Sequence, residues 1–172
     1  VTGGLMVLLA FLFDELCVRR KPLEVDRVLA ARSPLSVMAT DASTGGRAVL
    51  RDFASGRELL DAMRAGATMP IVAGDPATYR TGRYFDASLI EPIPVPTAEG
   101  EGHTHILALL TRTGVMRSHP SAFDTWYVSP RLRKLSPALA TQYMNGARPY
   151  SALISCLEGG KGPRGQAAVV CV

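Results

Sequence analysis

Three cysteines, three histidines and one tryptophan in 172 residues leave little material for the commonest kinds of site. Cys17, Cys156 and Cys171 are odd in number and carry no metal-ligand spacing, so neither a disulfide-built scaffold nor a zinc module is expected. Free thiols in a reduced chain are the simpler reading, with a Cys156–Cys171 pairing left open. Aromatic residues make up 6% of the chain and are read as standing apart from its basic clusters. That argues against an aromatic-interleaved nucleic-acid surface, and no nucleic-acid partner is expected. The apolar run over residues 3–13 falls short of the roughly 20 residues a membrane span needs. It also lacks the basic flank and small-residue cleavage site of a secretory signal. Gly45-Gly46 follows a strand-like run, but without a P-loop lysine or a helix start it reads as a plain turn rather than a phosphate cradle. No internal repeat or low-complexity segment is present. No cofactor is expected.

The rest is ordinary globular composition, 47% hydrophobic and 20% charged, long enough for one domain with a sizeable core. The net charge of +4 is spread out except at Arg19-Arg20-Lys21 and at Arg131, Arg133 and Lys134. Such clusters are most often solvated faces, and the other reading is peripheral contact with an anionic membrane surface. A cytoplasmic or peripherally membrane-associated protein is therefore expected. Beginning at Val1 inside an apolar run, the sequence is read as lacking what lies upstream.

Periodicity gives the order of elements. Leu5, Leu8, Leu9, Leu12, Phe13 and Leu16 repeat at three-and-four spacing and predict a buried helix over residues 5–18, ended by Arg19-Arg20-Lys21-Pro22. A short helix follows at 23–31, with Glu24 and Asp26 in its first turn. Residues 35–42 and 48–53 predict two strands joined by Ser43-Thr44-Gly45-Gly46 as a hairpin. Residues 56–69 predict a helix with Leu59, Leu60, Met63 and Ala67 inward and Pro70 as its stop. Residues 71–81 read as loop, 91–96 as an extended surface passage, and 97–102 as a short turn or helix. Residues 103–112 predict a strand apolar enough for burial on both faces, with His103 and His105 on one face at its start. The two imidazoles suit a metal in principle, but no third ligand is evident and a solvent-facing pair is the plainer reading. A loop at 113–121, helices from about 130 to 157, and a final strand after a glycine-rich link complete the chain.

The stretch from Gly82 to Val95 organises the rest. Tyr84 and Phe85 are strand formers, Ala87 and Ser88 are small, and between them Asp86 is delivered to a strand end, where α/β folds gather their chemistry. The competing reading is that Asp86 makes a turn through its own carboxylate.

In order and spacing, four segments resemble the patatin-like phospholipases. They are Arg20-Lys21-Pro22-Leu23, the hairpin from Val37-Met38-Ala39-Thr40-Asp41 to Thr44-Gly45, the helix end Met63-Arg64-Ala65-Gly66-Ala67-Thr68-Met69-Pro70, and Gly82-Arg83-Tyr84-Phe85-Asp86-Ala87-Ser88-Leu89-Ile90-Glu91-Pro92-Ile93-Pro94-Val95. The strand at 104–111 and the helices at 136–153 are also similar. The resemblance covers residues 12–157 and corresponds to the later half of that family's domain. It implies an incomplete three-layer α/β/α sandwich lacking its nucleophile elbow, a single partial domain over residues 1–172, and a serine acyl hydrolase with a Ser-Asp dyad. Asp86 takes the place of the dyad's aspartate, and the substrate is a lipid or other acyl ester. Ala87 stands where the family has glycine; were positive φ required there, alanine would strain the turn by roughly 1 kcal/mol or more.

A serine hydroxyl is a poor nucleophile until a base accepts its proton, and an aspartate serves only when its surroundings raise its proton affinity. No G-x-S-x-G turn and no glycine-rich oxyanion loop occurs in these 172 residues. Ser43 and Ser55 neighbour glycines but lack the flanking pattern and the strand-to-helix setting. Two readings follow. Either the chain is part of a lipid acyl hydrolase whose nucleophile lies elsewhere in the polypeptide, or it is an inactive fragment or non-enzymatic lipid-surface binding module. By itself it is expected to be inactive, with uncovered apolar surfaces that favour self-association.

Overall fold

A computed structural model describes residues 8–70, 74–110, 120–145 and 147–172. The described chain is a mixed α/β structure with two separate sheets. Helix α1 (Phe11–Arg20, wound as a π-helix) and α2 (Val25–Leu29) lead into β1 (Val37–Asp41) and β2 (Arg47–Leu50). After α3 (Gly56–Gly66) come β3 (Ala77–Tyr79), β4 (Gly82–Asp86), a 3-10 turn (Ala87–Leu89) and α4 (Val95–Gly100). Strand β5 (His105–Ala108), a π-helical turn (Asp124–Val128), α5 (Ser129–Leu135), α6 (Pro137–Asn145), α7 (Ala147–Glu158) and β6 (Ala168–Cys171) complete it.

The first sheet is antiparallel, in the order β2-β1-β4-β3, so β1 and β4 are its central strands. The β1–β2 hairpin turns where expected. Asp41 closes the turn by accepting from Ser43 N at 2.8 Å and Thr44 N at 2.9 Å, and Gly45 takes φ +67°. A Cβ at Gly45 would also meet Leu139 N at 2.6 Å, so the turn is seated against the backbone of α6. Strand alternation divides the packing between the two faces. Ala39, Leu50 and Tyr79 pack with Ala62 and Ala65 of α3 on one face, while Phe85 and Leu89 pack with Val128, Leu132 and Leu139 on the other.

The second sheet pairs β5 with β6 in parallel, Ile106 against Val169 and Ala108 against Cys171. One face packs on α7 through Ala108, Val169, Tyr150, Leu153, Ile154 and Leu157. The first sheet is tied to α4 through Glu91, whose buried carboxylate accepts from Arg47 Nη1 of β2 and from Thr97 N, each at 2.8 Å. A second tie joins Arg51 to Glu101.

Several expectations are corrected. Residues 5–7 of the expected first helix lie outside the described residues, and α1 itself is not buried: Phe13 is its buried residue, and what α3 brings to it are the cations Arg64, over the Phe13 ring and 2.6 Å from Asp14, and Arg57, 4.0 Å from Asp14. Helix α3 ends at Gly66, three residues before the expected end, and buries Ala62 and Ala65 rather than Met63 and Ala67. Small side chains let it lie close on the sheet. The expected loop at 71–81 contains β3, held by its pairing to β4. The passage at 91–96 is not superficial, since Glu91, Ile93 and Val95 are all buried. Strand β5 is covered on one face, leaving Leu107 65% and Leu109 74% exposed on the other. The helical region begins before residue 130, with the turn at Asp124–Val128. The loop expected at 113–121 falls largely outside the described residues. All three cysteines are free thiols.

Two predictions follow from this packing. A Cβ at Gly66 would lie 2.6 Å from the Met38 carbonyl oxygen. Alanine ordinarily favours a helix over glycine, yet here Gly66→Ala is expected to cost about 1–3 kcal/mol by overpacking α3 on β1, read as a lower urea midpoint. The second concerns Glu99, nearly fully buried, whose carboxylate accepts from Arg164 N at 2.9 Å, Gln166 N at 3.1 Å and Ala167 N at 3.0 Å. Burial alone would raise its pKa, but the three backbone amides and the Arg164 charge hold it below the ordinary glutamate value. This clamp therefore stabilises fully above the unfolded pKa of about 4.3 and is lost as pH falls through the lower folded value. Hydrogen exchange should show β6 opening first on acidification below about pH 4, and Glu99→Gln should open it already at neutral pH.

Candidate functional site

Asp86 ends a central strand, and its backbone is fixed from both sides. Its N–H donates to Thr68 O at 2.8 Å, just beyond α3. Its carbonyl accepts from the Thr40 hydroxyl at 2.8 Å, and Thr40 on β1 is 0% exposed. Opposite it in the ladder stands Ala39, too small to displace it. Phe85, 1% exposed, anchors the preceding residue in the core. The residue is partly buried. Its carboxylate accepts from Ser88 N at 2.7 Å and so caps the 3-10 turn, as the competing turn-forming reading requires. Among the described residues no ion pair reaches it.

Ala87 is not strained. It lies in the 3-10 turn, and among the described residues the non-glycine residues with positive φ are Asp52 and Arg80. The expected penalty for replacing glycine there does not arise, because this turn runs with negative φ.

Among the described residues, two aspartates different from Asp86 sit within hydrogen-bond reach of a serine hydroxyl, which sequence reasoning missed. Ser43 Oγ donates to Asp41 at 2.5 Å, and Ser121 Oγ donates to Asp124 at 2.6 Å. Both are local caps two or three residues apart. Asp41 also holds the hairpin amides, and Asp124 also accepts from the Tyr143 phenol at 2.7 Å. Burial would raise both pKa values, but the hydroxyl and amide donors around each carboxylate outweigh it and hold both below the ordinary aspartate value. A carboxylate so stabilised is a weakened base. Ser55 is accounted for as the N-cap of α3, accepting from Glu58 N at 3.2 Å while Glu58 accepts from Ala54 N at 2.7 Å. The Ser55-Gly56-Arg57-Glu58 spacing was the signal for that cap. Ser88, the serine nearest in sequence to Asp86, turns its hydroxyl to Met69 Sδ at 3.8 Å.

Among the described residues no serine hydroxyl is paired with the Asp86 carboxylate; its serine contact is the Ser88 backbone N–H. Nor does Asp86 border either of two cavities. One, of about 440 Å³, lies between the helix at 124–135 and Met144; the other, of about 290 Å³, lies beside Glu91, Tyr150 and Cys156. His103 and His105 are both exposed, and among the described residues no group of three potential metal ligands occurs. No described helix is long and apolar enough to cross a membrane. The stated separation of aromatic and basic residues is corrected: the Arg131 guanidinium lies 3.5 Å from the centre of the Tyr127 ring.

Neither a scan of protein-family models nor a search of curated proteins finds a match to this chain.

The capping bond gives a direct prediction. Asparagine keeps an acceptor oxygen for Ser88 N, and alanine does not. Asp86→Ala should cost about 1 kcal/mol in chemical denaturation, and Asp86→Asn at most a few tenths.

Proposed function

We propose that this chain is part of a patatin-like lipid acyl hydrolase with a three-layer α/β/α sandwich. In this reading Asp86 accepts the proton of a serine supplied by sequence outside residues 1–172. What carries it is Asp86 itself, a partly buried residue held by backbone bonds at the end of a central strand and free of any cationic partner among the described residues. Such a group is positioned, with Oδ1 engaged by Ser88 N and no cation holding its charge among the described residues, a state in which an incoming hydroxyl can still be met. The order of segments from Arg20 to Val95 supports the same reading.

The chemistry would be acyl transfer from an ester to serine, followed by hydrolysis of the acyl-enzyme. Backbone amides for the oxyanion must come with the nucleophile, because the glycine-rich loop is not among these residues.

The second reading is a non-catalytic lipid-surface module, and the observation that favours it is the Ser88 N bond to Asp86, sufficient to explain an acid in this turn. Substitution separates the two. In the longer protein, wild type should take a serine-directed fluorophosphonate label and hydrolyse an acyl ester. Asp86→Asn, which keeps the cap, should lower turnover about 100-fold or more. Unchanged turnover in that variant would remove Asp86 as the base. Residues 1–172 alone should neither label nor turn over.

A further inference from the structure

Residues 122–135 form one continuous helical stretch, with the π turn Asp124–Val128 set between α-helical residues. Its inner side is committed to the core through Val128 and Leu132, which pack against Phe85 and Leu139. The outer side is of another kind. Trp126 is 83% exposed and Phe123 59% exposed. The Phe123 and Tyr127 rings stack with centroids 5.0 Å apart, and Arg131 covers Tyr127 from the next turn. Arg133 and Lys134 follow, both exposed, at the edge of the 440 Å³ recess that Thr125 and Ser129 also line.

The charge on this face has one sign. Asp124 is the acidic residue between 120 and 145, and its carboxylate is turned inward to Ser121 and Tyr143. Among the described residues no carboxylate pairs with Arg131, Arg133 or Lys134.

We propose that this face docks the protein on an anionic phospholipid bilayer, with Trp126 and Phe123 in the interfacial layer and Arg131, Arg133 and Lys134 on the headgroup phosphates. Indole prefers the membrane–water interface, where one part of the ring is apolar and its N–H is wet. Basic side chains beside it add attraction to anionic lipid and let their stems lie along the apolar layer. Base stacking on a single-stranded nucleic acid is less available at Tyr127, whose ring lies between Phe123 and Arg131, and the test separates that ligand from lipid. The proposal shares with the hydrolase reading only the expectation of a lipid substrate. Its test measures binding without turnover, so either can fail alone.

Trp126 is the sole tryptophan in the chain, which makes its emission a reporter of this face. The 172-residue chain is titrated with vesicles of phosphatidylcholine, with and without phosphatidylserine, and with bromine-labelled acyl chains as quencher. The expected result is a blue shift and quenching on the anionic vesicles, with partitioning on the order of a hundredfold stronger than on neutral ones. That preference should collapse near 1 M salt, where the screening length is about 3 Å. Arg133→Glu combined with Lys134→Glu should weaken partitioning at least about tenfold with the circular dichroism spectrum unchanged. Three outcomes overturn the proposal: co-sedimentation with anionic vesicles without any emission change, equal partitioning into neutral and anionic vesicles, or an emission change with a single-stranded oligonucleotide but not with vesicles.

Discussion

The backbone bonds on either side of Asp86 are the constraint on which the rest of the structure depends. Thr40 donates to its carbonyl and Thr68 accepts from its N–H, so the end of β4 is tied at once to β1 and to the segment leaving α3. Thr40 is wholly buried, and a buried hydroxyl without a partner costs on the order of 1–3 kcal/mol. The register Ala39 to Asp86 is thereby specified: a one-residue slip would turn Phe85 out of the core and strand the Thr40 hydroxyl. The same bonds that stabilise the sheet fix where the acid emerges.

Much of that region was legible because local chemistry and tertiary packing agree there. Tyr84 and Phe85 favour a strand, Ala87 and Ser88 permit a tight turn, and the aspartate between them falls where those two preferences meet. The β1–β2 hairpin is similar, with Gly45 supplying positive φ. Other elements were hidden for definite reasons. Strand β3 has three residues following Gly74-Asp75-Pro76, and it exists because β4 offers it a partner; nothing in its own pattern outweighs those turn formers. Helix α1 shows the converse. Three-and-four spacing identifies an apolar face but not whether anything covers it, and the described neighbours cover little beyond Phe13.

The candidate site was legible only in part. Sequence reading proposed Asp86, whereas among the described residues the aspartates within reach of serine hydroxyls are Asp41 and Asp124. Distance alone would have chosen these. Protonation energetics argue the other way, since each is surrounded by donors that stabilise its charge, and a stabilised carboxylate gives up little on remaining ionised. At Asp86, by contrast, Ser88 N is the donor on the carboxylate among the described residues. That difference follows from which amides and hydroxyls converge on each oxygen, which depends on tertiary placement as much as on residue type.

The same strand also links the acid to the helix that bears Trp126. Phe85 packs with Val128 and Leu132, whose helix presents its rings and cations on the opposite side. One close-packed layer therefore separates the residue before Asp86 from the exposed aromatic face. Interiors at native packing density do not let such a layer slide freely, because shifting a buried phenylalanine opens a cavity that costs several kcal/mol. An acid fixed to β4 and a helix fixed to Phe85 must then move together. If a bilayer holds that helix, it also sets the height and tilt of the strand end relative to the lipid, without any contact between Asp86 and the membrane. This coupling is steric, and it depends on the volume of Phe85 more than on its chemistry.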